Sequence, residues 1–129
     1  MSKQIIESKK VPAPIGPYSQ AVIANGFLFA SGQVAFDPKT GALVLSDIAS
    51  ETKQVMENMK AVLESAGMTF ENVVKSTIFI SNMNDFAAIN SVYGSYFNEK
   101  TAPARETVAV KTLPRNVNIE ISITAVLTL

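Results

Sequence analysis

Hydrophobic side chains recur along this chain with two different periods, and the changes of period mark its elements. Tyr18 to Ile23 and Phe27 to Val34 are short, largely apolar runs separated by Asn25-Gly26. Asn-Gly suits a tight hairpin turn because both residues adopt positive φ at little cost, so the two runs read as paired strands. The first half of the second run is apolar on both faces, as in a central strand covered on both sides. From about Asp47 the spacing becomes helical: Ile48, Thr52, Val55, Met56, Met59, Val62, Leu63 and Ala66 form one stripe. Asp47 or Ser46 is the expected N-cap and Gly67 the residue just past the C-terminus. Met56 and Met59 read as core filling rather than as ligands.

Residues 73–81 return to a β-branched strand pattern. Asn82 or Asn84 then caps a second helix with the stripe Phe86, Ile89, Asn90, Tyr93, Tyr96 and Phe97, which Asn90 interrupts. Residues 3–8 predict a short strand, after which Pro12, Pro14 and Pro17 around Gly16 exclude regular structure until about Tyr18. Two strands close the chain, one opening at Pro103-Ala104-Arg105-Glu106-Thr107-Val108 and one running from Asn118 to Thr128. With Leu113-Pro114-Arg115-Asn116 as the turn between them, they are expected to pair as a hairpin. The order β-ββ-α-β-α-ββ predicts an α+β fold in one domain, 1–129: a mixed, mainly antiparallel sheet with both helices on one face.

In the last strand the apolar residues Ile119, Ile121, Ile123, Ala125 and Leu127 share one face, which leaves Asn118, Glu120, Ser122 and Thr124 on the other. The face of the sheet away from the helices is expected to carry Phe29 or Leu28, Ser76, Thr107 and Glu120. That mixture is too apolar for water and too polar for a simple core. Packing between subunits in a closed ring accounts for it.

Composition narrows the chemistry. Only 17% of the 129 residues are charged against 47% hydrophobic, which points the same way, toward an oligomer. The 11 basic and 11 acidic side chains balance without a basic block, so a nucleic-acid partner has no electrostatic support. The absence of Cys and His removes thiol nucleophiles, disulfides and most zinc sites, and no metal site is expected. No secretory leader or membrane-length apolar run is present, so the expectation is a soluble cytoplasmic protein. No phosphate loop, dinucleotide fingerprint or nucleophile elbow occurs. Asp37, Gly41, Asp47 and Asp85 read as turn and cap residues.

Two charged residues remain as candidates. Arg105 presents a planar fork that matches a carboxylate, and Glu120, flanked by Ile119 and Ile121, needs a partner or a task. Under the expected hairpin the two share one polar pocket, either as an anion anchor with a water-activating carboxylate or as an ordinary ion pair. Tyr18, Ser31, Gly32 and Asn90 stand behind them. Gly32 leaves backbone groups approachable, and Tyr18 can wall a pocket. Asn90 either serves the site or satisfies a nearby backbone group.

Five blocks resemble the RidA/YjgF family of reactive-intermediate deaminases, in the family's order and over nearly the whole chain. They are Ala13-Pro14-Ile15-Gly16-Pro17-Tyr18-Ser19-Gln20-Ala21, Phe29-Ala30-Ser31-Gly32-Gln33-Val34, Val74-Lys75-Ser76-Thr77-Ile78-Phe79-Ile80, Pro103-Ala104-Arg105 and Ile119-Glu120-Ile121. The resemblance implies a chorismate-mutase-like fold, a homotrimer with a central barrel and sites in the clefts between subunits. It implies cofactor-free hydrolysis of 2-imino acids, such as 2-iminopropanoate and 2-iminobutanoate, to 2-oxo acids and ammonia. Arg105 matches the family's carboxylate anchor and Glu120 the residue that positions water, while Tyr18, Ser31, Gly32, Asn90 and Thr107 fall at substrate-binding positions. Where the family often has a small residue and then Cys, this chain has Glu106 and Thr107. By strand alternation Glu106 points away from the Arg105 and Thr107 face. The alternative is a non-catalytic trimer that binds a small carboxylate such as a 2-oxo acid.

Overall fold

The structure is a computed structural model that describes residues 2–127. Its strands are β1 (Gln4–Ile6), β2 (Ala21–Ala24), β3 (Phe27–Gln33), β4 (Val73–Ile80), β5 (Ala104–Ala109) and β6 (Ile119–Val126); its helices are α1 (Ile48–Ser65) and α2 (Phe86–Gly94). The expected order of elements holds, although Tyr18 precedes β2, and Tyr96 and Phe97 follow α2. Thr128, assigned to the last strand from the sequence, lies outside the described residues.

The strands form one sheet in the order β1-β2-β3-β6-β4-β5. All neighbours are antiparallel except β4 and β5. The expected β5–β6 hairpin is therefore wrong. Helix α2 carries the chain from β4 to β5, and a crossover of that kind sets the two strands parallel. The far edge of β4 stays free, and β6 inserts there, between β4 and β3. Burial explains which strand goes where. Ile119 and Ile121 are fully buried in β6, as in a central strand, whereas β5 is short, mostly exposed and preceded by Pro103, as in an edge.

Both helices cover one face. Val55, Met56, Met59, Val62 and Leu63 of α1 and Ile89 of α2 close over Leu28, Ile78, Ile80, Ile119 and Ile121. Asp47 caps α1, its Oδ1 accepting from the Ser50 amide at 2.7 Å. At the other end Gly67 takes φ 71°, and the Met68 amide donates back to the Leu63 carbonyl at 2.9 Å, a glycine-dependent helix stop.

The other face is not covered by this chain. Pairing register places Ile5, Val22, Phe29, Thr124 and Lys75 in one row across it, with Glu120, Phe79 and Val108 in another. Phe27 and Phe29 are 41% and 47% exposed, so β3 is covered on one side only within a single chain. The same register corrects two sequence assignments. Ser76 and Thr107 lie on the helix-covered face, in line with Ile123 and Ile78.

Three buried polar side chains tie the loops to this frame. Gln20 accepts from the Ser8 amide at 2.6 Å and donates to the Ser8 and Pro12 carbonyls, which orders the proline-rich segment. Asn58 of α1 donates to the Val34 and Phe36 carbonyls. The wholly buried carboxylate of Glu51 accepts from the Asn118 amide at 2.8 Å and from Asn118 Nδ2 at 2.7 Å, which fixes the entry to β6.

Candidate functional site

One cluster of candidate residues is built on α2 and β5. Phe86, Asn90 and Tyr93 recur at helical spacing, so they line one side of α2 and meet the edge of the sheet where Arg105 stands. Asn90 Oδ1 accepts from Arg105 Nη1 at 2.7 Å. The guanidinium carbon lies 5.1 Å from the Tyr93 ring centre and 5.6 Å from that of Phe86. The polar interruption of the helical stripe thus orients the arginine fork rather than a backbone group, and the rings hold the fork's faces while leaving other N–H groups for an anion. The Tyr93 hydroxyl donates to Ser76 Oγ at 2.9 Å; burial pushes this phenol's pKa up, opposed by that hydrogen bond and by the charge of Arg105. Thr107 lies two residues farther along the same face of β5, and its Oγ1 is buried with no partner among the described residues. A cleft of about 430 Å³ opens here between Asn90, Tyr93, Pro103 and Arg105.

A second cluster is built on β3 and β6. The β3–β6 register slips between Ala30 and Gln33, so Ser31 and Gly32 sit in a bulge, a device that re-aims side chains beside functional clefts. Ser31 Oγ donates to the Ser19 carbonyl at 2.6 Å, and the Ser31 amide to the Gln20 carbonyl at 2.8 Å, which locks the bulge against the proline-rich segment. The Glu120 side chain lies directly over Gly32: a Cβ at Gly32 would come 2.7 Å from its Cδ, so only glycine leaves the carboxylate this position. Tyr18, Ser31, Gly32 and Glu120 share a cavity of about 580 Å³. Among the described residues, no hydrogen bond or ion pair engages the half-buried Glu120 carboxylate, and burial pushes its pKa up from the ordinary 4.5.

The six sequence candidates besides Glu120 therefore divide: Tyr18, Ser31 and Gly32 join Glu120, while Asn90 and Thr107 join Arg105. The single polar pocket expected from a hairpin does not exist within one chain. Arg105 is in register with Ser76 and Glu120 with Phe79, so they lie on opposite faces, with β4 between their strands. Two strand spacings across and three residues along separate their Cα atoms by roughly 14 Å. Glu106 faces away from Arg105, as alternation predicts. Its carboxylate meets Lys75 Nζ at 2.6 Å and accepts from Thr77 Oγ1, and the Lys75 hydrogen bond, followed by that of Thr77, lowers its pKa. The sequence reading missed Phe36 and Arg115, which line the Glu120 cavity; Arg115 was read only as part of a turn. Among the described residues no group of three or more His, Cys, Asp or Glu could hold a metal ion, and no helix is long and apolar enough to cross a membrane.

Comparison with known proteins agrees with this architecture. The family model described as endoribonuclease L-PSP matches residues 8–127. A RutC family protein of Synechocystis is 52% identical over 128 residues, covering 98% of each chain. The mouse protein named 2-iminobutanoate/2-iminopropanoate deaminase is 43% identical over 124 residues, 96% of this chain and 91% of its own. Among solved structures, a Rid-family protein of unknown function from Yersinia pestis has a TM-score of 0.94 at 47% identity, covering 97% of this chain and 99% of that one. TdcF of E. coli, solved with bound serine, has a TM-score of 0.88 at 40% identity, covering 95% and 98%. With its sheet, helices and sequence all aligned over nearly their full length, this chain belongs to the RidA/YjgF family.

Proposed function

We propose that the protein hydrolyses 2-imino acids, of the 2-iminopropanoate and 2-iminobutanoate class, to 2-oxo acids and ammonia. The observation that carries this reading is the Glu120 carboxylate, half-buried, without a partner among the described residues and held over Gly32 beside an open cavity. A carboxylate with a raised pKa is suited to take a proton from water near neutral pH. Arg105, braced by Asn90 and two rings, supplies the anchor for the substrate carboxylate. In the reaction, water oxygen bonds to the imine carbon as Glu120 takes a water proton. The C=N π electrons move to nitrogen. Glu120 returns its proton to that nitrogen to give the carbinolamine; transfer of the hydroxyl proton to nitrogen, again through Glu120, then lets the C–N bond break, releasing ammonia and leaving the 2-oxo acid. Imines hydrolyse readily, so placing the two reactants together supplies most of what is needed. The activity named for the mouse relative and the amino acid bound by TdcF are consistent with a small amino-acid-derived substrate.

Since Arg105 and Glu120 of one chain face opposite sides of the sheet, the site is completed between subunits, with Arg105 of one and Glu120 of another. The chain forms a homotrimer in the chorismate-mutase-like manner, its uncovered sheet faces packed as a central barrel. The exposed Ile5, Phe27, Phe29 and Val108 on that face support an assembly that buries them. A nuclease reading, suggested by the family model's description, has no support from zero net charge and the lack of His.

The test is Arg105→Ala, assayed for 2-iminobutanoate hydrolysis beside the wild type. Loss of an arginine–carboxylate contact of about 2–5 kcal/mol lowers kcat/KM by roughly 30-fold to 5,000-fold, with the oligomer unchanged. An active variant refutes the assignment. A protein that binds 2-oxobutanoate but leaves imine decay at its spontaneous rate is a sensor instead.

A further inference from the structure

The cavity beside Glu120 carries a cation that a three- or four-carbon monoacid held by Arg105 does not use. Arg115 forms part of its wall. Arg115 is placed there by the backbone. It takes φ 58°, ψ 19°, and Asn116 takes φ 55°, left-handed conformations uncommon outside glycine. The turn is closed by the Asn116 amide donating to the Leu113 carbonyl at 3.0 Å and the Val117 amide to Pro114 at 3.3 Å. This geometry sends the guanidinium over the Phe36 ring, 5.7 Å from its centre, and Asn58 of α1 secures the Phe36 carbonyl at 2.8 Å. Stacking occupies a face of the guanidinium and leaves its in-plane N–H fork free. Among the described residues Arg115 forms no ion pair, and it does not neutralise Glu120, whose shift comes from burial.

We propose that Arg115 recognises a second anionic group, so that this cavity takes diacidic substrates: 2-imino acids with a carboxylate on the side chain. The α-carboxylate goes to Arg105, the imine carbon to Glu120 and the side-chain carboxylate to Arg115 of the chain that supplies Glu120. This rests on the reading of Glu120 as the water-activating residue. The wall also carries Ile15, Val34 and Phe36 beside the polar Gln33, so the rival occupant is a long apolar side chain.

The experiment uses the intact protein and two readouts. Calorimetry compares binding of 2-oxopentanedioate, 2-oxobutanoate and the long apolar 2-oxooctanoate. Turnover compares the imines made in situ by enzymatic oxidation of glutamate and of alanine. The wild type is expected to favour the diacid in both. Arg115→Gln, with folding checked by thermal melting, lowers the diacid-to-monoacid ratio about 5-fold, the upper range for an exposed charge pair. The change falls on KM and Kd rather than on kcat, and Arg115→Lys retains most of the preference. A ratio that Arg115→Gln does not move, or a wild-type preference for long apolar acids, overturns the proposal. Arg115-dependent diacid binding without imine turnover refutes the hydrolase reading and leaves the Arg115 site standing; imine turnover with a ratio indifferent to Arg115 does the reverse.

Discussion

Replacing Gly32 by alanine adds one methyl group against the side chain on which the proposed chemistry depends. The new Cβ would stand 2.7 Å from Glu120 Cδ and 2.8 Å from Cγ, where ordinary contact begins at 3.4 Å, so the carboxyl group must retreat, by 0.7 Å (3.4 less 2.7) to regain ordinary contact. It has somewhere to go, since it borders an open cavity. Moving it off its rotamer costs about 0.5–1.5 kcal/mol, while the stiffer unfolded chain of the alanine variant returns about 0.4–1 kcal/mol. Net stability should therefore change by less than about 1 kcal/mol, a shift in Tm of roughly 4 °C. Catalysis has no such offset. A displacement near 1 Å costs up to about 10²-fold, so kcat/KM for 2-iminobutanoate hydrolysis should fall by roughly 10–100-fold, or about 1.4–2.7 kcal/mol. Glu120→Gln should lose at least as much, and the double variant no more than Glu120→Gln alone, because both changes remove one function. Full activity in Gly32→Ala, or additive losses in the double variant, would refute the claim that Glu120 acts from its place over Gly32.

Four further outcomes follow from the same structure. Because burial raises the Glu120 pKa, the acid limb of the kcat/KM–pH profile should lie above the ordinary carboxylate range and vanish in Glu120→Gln. The linkage has the opposite sign for stability: a raised carboxylate pKa costs stability as pH climbs from the unfolded value through the folded one, so denaturant melts should show Glu120→Gln gaining on the wild type across that window. Glu106→Ser should change imine turnover by less than about 2-fold, since Glu106 is exposed, paired with Lys75 and directed to the other face; a large gain in activity would show that its charge reaches the anion anchor. Glu51→Ala strands the partly buried Asn118 amide and side-chain donors, at about 1–3 kcal/mol each, so chemical denaturation should show a loss of about 2–6 kcal/mol.

The elements of this fold were legible because their causes are local. The 3.6-residue stripe, the Asp47 cap and the Gly67 stop all act within a few residues of one another, and α1 forms as they predict. Asn25-Gly26 makes its turn for the same reason, with φ 53° and 78°. Strand order has no local cause. Leu113-Pro114-Arg115-Asn116 has the composition of a hairpin turn and does form a tight turn, yet the strands on either side of it belong to different edges of β4. What decides the matter is the crossover through α2 and the burial each strand can sustain, and both are properties of the whole sheet. Glu51 was missed for a related reason: it looks like a solvated first-turn acid until β6 arrives with Asn118.

The candidate site shows how such an error spreads, and where it stops. Alternation within a strand is robust, so the division of Arg105 and Thr107 from Glu106, and of Glu120 from its isoleucine neighbours, holds in three dimensions. Alternation cannot say which face of one strand matches which face of another; that takes the register, here Arg105 with Ser76 and Glu120 with Phe79. Once the register is known, the anion fork and the carboxylate part to opposite sides, and the ion-pair explanation for both loses its footing inside one chain. Each then stands beside its own cleft, Arg105 held by Asn90 and aromatic faces, Glu120 held by nothing among the described residues. A half-buried carboxylate with no partner is unfavourable unless something else meets it. The water and substrate of the proposed intersubunit site would supply that something, which is why the separation of the two residues favours the proposed function over the ion pair that their expected contact first suggested.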